Sequence, residues 1–197
     1  GLLGLFAVSE YFRSWTSFYS GRGMSFWTFV VMRLSGYYVT AVNNGALLIE
    51  QVPTIGLPFF TLNFLIRAPG AGAIWRDLYP NMPQLSEPGF PVESVLKVGA
   101  NYEFNNPDGY LVPVLDFGVV GALVFWLVAG LMCGFVYRSF CRKQPLGLFV
   151  YPLLFVGVIE MPRVLYWGQG RVALPLILMG LLAYYCVRWR RGLDSDR

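Results

Sequence analysis

The run from residue 110 to residue 137, "YLVPVLDFGVVGALVFWLVAGLMCGFVY", is apolar but for one acid, Asp116. Crossing about 30 Å of hydrocarbon takes roughly 20 apolar residues, so this run reads as a membrane span. It also raises the question of why a span keeps an acid near its start. Only 13% of the chain is charged and 56% is hydrophobic, against about a quarter charged in soluble domains. The deficit calls for lipid as a second solvent.

Cations gather where apolar runs stop. Arg138, Arg142 and Lys143 follow the first run, and Arg188, Arg190 and Arg191 follow the last. Basic residues accumulate on the cytoplasmic side of membrane helices, so both clusters are expected inside, and with no basic patch elsewhere no nucleic-acid partner is expected. The run 110–137 then travels inward, 146–162 returns outward, and 172–187 comes back in, leaving 163–171 as a short external link. The apolar start, 1–8, reads as the end of a membrane helix, and the chain as the C-terminal part of a longer membrane protein. The expected fold is an all-α, polytopic transmembrane helical bundle with a large external loop. Its three spans and basic cytoplasmic tail occupy 110–197, and an external segment occupies 9–109. Gly118, Gly121, Gly130 and Gly134 are expected to let other helices approach the first span closely.

The first half is more polar. Ser25 is placed to cap a helix in which Arg33, Tyr37, Thr40 and Asn44 recur at helical spacing, opposite Val30, Leu34, Ala41 and Leu48. This stretch is amphipathic, and "TIGLPFFTLNFLI" after it is short and broken by Pro58, as in a re-entrant segment. Whether 26–66 crosses the membrane or dips into it stays open. Residues 67–109 are rich in Pro, Gly and Asn with no sustained period, which marks an external loop long enough for a binding or lid role.

The chain has no His, so it cannot build a Ser-His-Asp triad or a His-ligated zinc by itself, and neither a metal nor another cofactor is expected. Cys133, Cys141 and Cys186 fall at or near inner helix ends, where thiols stay reduced. What remains at the outer face is arginine, carboxylate, Asn and Tyr. A guanidinium pairs with phosphate oxygens through a planar fork and stays charged, so a lipid pyrophosphate is a natural ligand. Arg33 stands out, because an ionisable group inside an apolar helix costs about 2.5 to 3.5 kcal/mol on insertion scales. Arg67, Arg76 and Arg171 read first as snorkelling residues. Glu160 precedes Arg163 by three residues and Glu10 precedes Arg13 by three, so each is also a local ion pair. Glu10, Glu50, Asp108, Asp116 and Glu160 are the carboxylates near the outer boundary, with Glu10 the first choice for a base. The many outer aromatic residues suit sugar faces and, equally, the interfacial belt.

"RLSGYYVTAVNNGALLIE", then a long polar segment, then "NNPDGYLVPVLDFGVVGALVFWLVAGLMCGFVYRSF" resembles the C-terminal half of the Wzy-type O-antigen polymerases, the oligosaccharide repeat-unit polymerases. The likeness rests on Arg33, Tyr37, Tyr38, Asn43 and Asn44, and on Asp116, Phe117, Gly118 and Gly121, across about residues 10 to 140. It implies a multi-pass glycosyltransferase of the bacterial inner membrane, with its C-terminus in the cytoplasm, that joins undecaprenyl-pyrophosphate-linked oligosaccharides at the periplasmic face. The products are O-antigen, capsular or exopolysaccharide, and the partners are the bilayer and a chain-length regulator protein. On this reading Arg33, with Arg13 or Arg163, holds the pyrophosphate. Glu10 assists the acceptor hydroxyl, and Tyr37, Tyr38, Asn43 and Asn44 orient the substrate. Asp116 positions an incoming Arg or the Asn-rich loop. A flippase for the same lipids and an O-antigen ligase remain the alternatives, the ligase being expected to use an outer-loop His.

Overall fold

In a computed structural model of the protein, residues 2–68, 91–100 and 104–195 are described, with the single positions 70, 71, 74 and 77. About half of the expected external loop, 67–109, therefore lies outside the described residues. All regular structure among those described is helical. The helices are α1 (Leu2–Glu10), α2 (Phe26–Gln51), α3 (Asn63–Ile66), α4 (Pro91–Gly99), α5 (Val112–Cys141), α6 (Pro145–Glu160) and α7 (Gly170–Ser195). Between α1 and α2 the chain continues as a widened π-helix, Tyr11–Tyr19.

Two helices are long and apolar enough to cross a membrane, α5 and, within α7, Gly170–Trp189. Their apolar windows are only 11% buried within the protein, whereas the core helix of a soluble domain would be covered. Leu123, Leu127, Leu131 and Phe135 all stand exposed on α5. The bare apolar faces fit association with a membrane. The helix α6 is apolar but shorter, and α2, although as long as α7, carries a polar stripe and does not meet the same test.

The α5, α6 and α7 helices pack in sequence order. Arg142–Gln144 turn the chain between α5 and α6, and there the Ser139 hydroxyl accepts the Gly147 N–H at 3.0 Å. Pro145 starts α6, where a missing N–H costs nothing. The start of α5 meets the end of α6 through a Gly109 N–H to Met161 carbonyl bond of 2.9 Å. One end of this bundle thus collects residues 104–111, 160–169 and the start of α5. The other end carries Arg138, Arg142 and Lys143.

The expected cap of α2 is present, with the Ser25 hydroxyl accepting the Thr28 N–H at 3.1 Å. The last helix does not stop at residue 187 but runs through the basic cluster to Ser195. The glycine stripe of α5 differs from expectation: a Cβ at Gly130 or Gly134 would meet nothing within 4 Å. No helix among the described residues packs there.

Gly118 has a different task. Its φ of 68° and ψ of −179° break α5 after one and a half turns, in a region essentially reserved for glycine. The carbonyls of Leu115 and Asp116, freed by the break, accept the N–H groups of Ile55 and Gly56 at 3.0 and 2.7 Å. The Asp116 carboxylate, fully buried, accepts the N–H groups of Phe60 and Thr61 at 2.8 and 2.7 Å and the Thr61 hydroxyl at 2.7 Å. The segment 55–61 therefore wraps the break, and every one of these bonds runs the same way: loop donors meet helix carbonyls and a helix carboxylate. This answers the question of the acid in the span. Asp116 stands in for the backbone acceptors that an irregular loop lacks, which matters most where lipid offers none.

Candidate functional site

Three arginines from three separate segments meet around Tyr37. The first comes from the π-helix. Its hydrogen bonds skip five residues, as in the Ser20 N–H to Trp15 carbonyl bond of 3.0 Å. Glu10, Ser14 and Tyr19, at steps of four and five, therefore turn to one buried face. This spacing is the only sequence sign of the π-helix, and a 3.6-residue period hides it. Glu10, 2% exposed, uses one oxygen on Arg13 at 2.5 Å and the other on Arg33 Nε at 3.1 Å. Arg13 also donates to the Tyr37 hydroxyl.

On α2, Arg33, Tyr37 and Asn44 share a face, as their spacing predicts. Arg33 is buried at 5% exposure, with its guanidinium 5.5 Å from the Tyr37 ring centre and 4.8 Å from that of Phe104. The third arginine, Arg163, follows α6. Its guanidinium lies over the Tyr37 ring at 4.8 Å and pairs with Glu160 at 2.7 Å. Its Nε is buried with no hydrogen-bond partner. Among the described residues, three guanidinium groups thus gather with the carboxylates of Glu10 and Glu160.

The structure sorts the expected site residues by reach. Arg13 and Arg163, with side chains 53% and 25% exposed, are open to a ligand. Arg33 is not: enclosed by Glu10, Tyr37 and Phe104, it supports the cluster from behind. Glu10 has both oxygens engaged by guanidinium groups, which leaves it poorly placed as a base. Glu160, a quarter exposed, is the carboxylate of the cluster that a hydroxyl group can reach. Asn44, 3% exposed, spends its amide on the carbonyls of Phe104 and Asn106, at 2.7 and 3.0 Å. Asn43 is exposed and Tyr38 half-buried. Each is rotated about 100° along the helix from the face of its neighbour, away from the arginines. Asp116 is occupied by Phe60 and Thr61, and among the described residues it holds neither an arginine nor the Asn-rich loop.

Phe104 and Asp108 complete the site. Phe104 lay hidden in "NYEF", with no period to mark it. Asp108, 2% exposed, adopts a φ of 62° and accepts the Tyr110 N–H at 2.8 Å. Burial pushes its carboxyl from the ordinary 3.8 up to about 6, against the amides of Tyr110 and Leu111, which pull it down. The folded state therefore holds this proton more tightly than the unfolded chain. Asp108 favours folding most below about pH 4 and loses that contribution as pH climbs to about 6, by roughly 2–3 kcal/mol at about 1.4 kcal/mol per unit. Asp108→Asn keeps the accepting oxygen and tolerates positive φ. Thermal melts between pH 4 and 8 are expected to show a flatter profile and a higher Tm at pH 7 for this variant. An equal or steeper slope would contradict the assignment.

Among the described residues, no group of three or more His, Cys, Asp or Glu comes together to hold a metal ion. No family model, no curated protein and no solved structure matches the chain.

Proposed function

We propose that the chain works at a membrane surface on an anionic, lipid-linked sugar, with Arg13 and Arg163 as the cations that meet the anion. The observation that supports this reading most is the convergence of three guanidinium groups on Tyr37, with Arg13 and Arg163 partly exposed there and the Arg163 Nε without a hydrogen-bond partner. An isolated structural ion pair needs no third cation, and Arg163 stacked on an aromatic ring keeps part of its fork free for phosphate oxygens. The ligand that fits the cluster and the expectation from sequence is the pyrophosphate of an undecaprenyl-pyrophosphate-linked oligosaccharide. The reaction is polymerisation of repeat units by glycosyl transfer.

In that reaction the bond between the sugar anomeric carbon and the pyrophosphate oxygen breaks, and the acceptor hydroxyl oxygen forms the new bond to that carbon. The leaving pyrophosphate takes the electron pair. Arg13 and Arg163 stabilise the charge as it grows there, while Glu160 receives the acceptor proton. Glu10 and Arg33 hold Arg13 and Tyr37 in place from within. The basic residues at the ends of α5 and α7, of a kind that accumulates on the cytoplasmic side of membrane helices, support a topology with that end inside and the cluster at the periplasmic face of the inner membrane.

The protein in liposomes, supplied with purified lipid-linked repeat units, is expected to extend the chain and release lipid pyrophosphate. Arg163→Ala and Arg13→Ala are each expected to slow extension by at least about 100-fold, the usual effect of removing one charge-stabilising donor. Extension at the wild-type rate in both variants rejects the assignment. Movement of the lipid-linked sugar across the bilayer without extension would identify a flippase.

A further inference from the structure

The segment Phe104–Gly109 runs as a strap between α2 and the turn after α6, and it is fastened on both sides. Toward α2, the Asn44 amide holds the carbonyls of Phe104 and Asn106. A Cβ on Gly45 would lie 2.8 Å from Asp108 Cβ, so the strap lies directly against that helix. Toward the turn, the Asp108 N–H donates to the Arg163 carbonyl at 3.1 Å and the Gly109 N–H to Met161 at 2.9 Å. A Cβ on Gly109 would come within 2.5 Å of that Met161 oxygen. The same strap lays Phe104 over Arg33 and edge-on to Tyr37, with ring centres 5.1 Å apart.

Resting on the anion-binding reading above, we propose that Asp108 and Gly109 are positioning residues that set the separation of Arg163 from Arg13. They thereby make the cluster prefer an anion of two linked phosphates over a single phosphate. The argument is geometric. Arg163 follows α6 and Arg13 precedes α2. The Asp108 and Gly109 bonds fix the backbone around Arg163 relative to α2, from which Tyr37 takes the Arg13 hydrogen bond. Two cations held a fixed distance apart can each grip one phosphate of a pair, while a single phosphate engages them one at a time. Asp108 maintains its left-handed turn by accepting the Tyr110 N–H, and that turn aims the two strap N–H groups at Met161 and Arg163.

The test is calorimetric titration of the purified full chain in detergent with inorganic pyrophosphate and, separately, inorganic phosphate. The wild type is expected to prefer pyrophosphate by at least about tenfold. Asp108→Ala, which removes the acceptor of the turn, and Gly109→Ala, which pushes the strap off Met161, are expected to bring that preference close to unity. Their single-phosphate affinity should remain within about threefold of wild type. Asp108→Asn restores the oxygen and is expected to restore the preference, a recovery that general loosening of the fold does not predict. If Gly109→Ala does not fold, the Asp108 pair decides. Wild-type preference retained in Asp108→Ala overturns the strap alone and leaves the anion site standing. Binding of neither anion by the wild type overturns both readings.

Discussion

Glu10→Ala is expected to remove about 3–5 kcal/mol of stability, the usual cost of breaking one partner out of a buried ion pair. Glu10 is the counter-charge that sits against Arg33 Nε, both side chains being almost fully buried. Without it Arg33 loses its Nε ion pair while its guanidinium stays buried beside Phe29, Tyr37 and Phe104. Their ring faces attract a cation by about 0.5–2 kcal/mol each, less than the solvation it gave up. Arg13→Ala removes the other salt bridge of Glu10, yet Arg13 is half exposed, so its loss is expected to cost no more than about 1 kcal/mol. The two substitutions break bonds of the same carboxylate and differ in effect because they leave behind different things: a buried cation that has lost an ion pair in one case, a still-paired carboxylate in the other. Replacing both buried partners, Glu10→Leu with Arg33→Met, is expected to recover most of the loss, since an apolar pair carries no desolvation cost. Thermal unfolding of the protein in detergent measures all three. A double variant no more stable than Glu10→Ala would show that the pair contributes a fold-specific contact beyond charge neutrality.

The sequence made the helices legible and left their partners hidden. The apolar runs located α5, α6 and α7, and Ser25 announced the start of α2, because a cap and a hydrophobic run are local events. Arg33 stood out for the same reason: a charge in an apolar stretch is costly wherever it points. What it points at was not local. Glu10 lies 23 positions before it, Asn44 reaches 60 positions to Phe104, and Thr61 lies 55 positions from Asp116. Helical spacing says which residues share a face, and nothing in it says what covers that face. The π-helix adds a second obstacle, since it brings Tyr19 to the face of Glu10 and Ser14, where a 3.6-residue period puts it on the opposite side. The glycines show the limit from the other side. Gly130 and Gly134 carry a familiar packing spacing and face open space. Gly118, in "DFGVVG", serves a backbone break that spacing alone cannot announce.

Asp116→Ala is expected to release the 55–61 segment from the break in α5. The carboxylate accepts three hydrogen bonds, two of them from backbone N–H groups that cannot turn elsewhere. Each donor left buried without an acceptor costs about 1–3 kcal/mol, so the segment loses on the order of 3 kcal/mol of local stability. At about 1.4 kcal/mol per factor of ten, amide exchange at Phe60 and Thr61 should accelerate about 100-fold, while exchange in the middle of α5 stays unchanged. Asp116→Asn keeps one accepting oxygen and should fall between the two. Gly118→Ala attacks the same junction from the backbone, since an alanine at a φ of 68° costs about 1–3 kcal/mol in strain. A strained alanine relieves itself by straightening α5, which returns the Leu115 and Asp116 carbonyls to helical N–H groups and takes them from Ile55 and Gly56. Both substitutions therefore detach one segment, and a segment can be detached only once. In a double-mutant cycle their effects on exchange should be clearly less than additive. Full additivity would mean that the carboxylate and the glycine act on separate structures, and that the break in α5 does not exist to receive the loop.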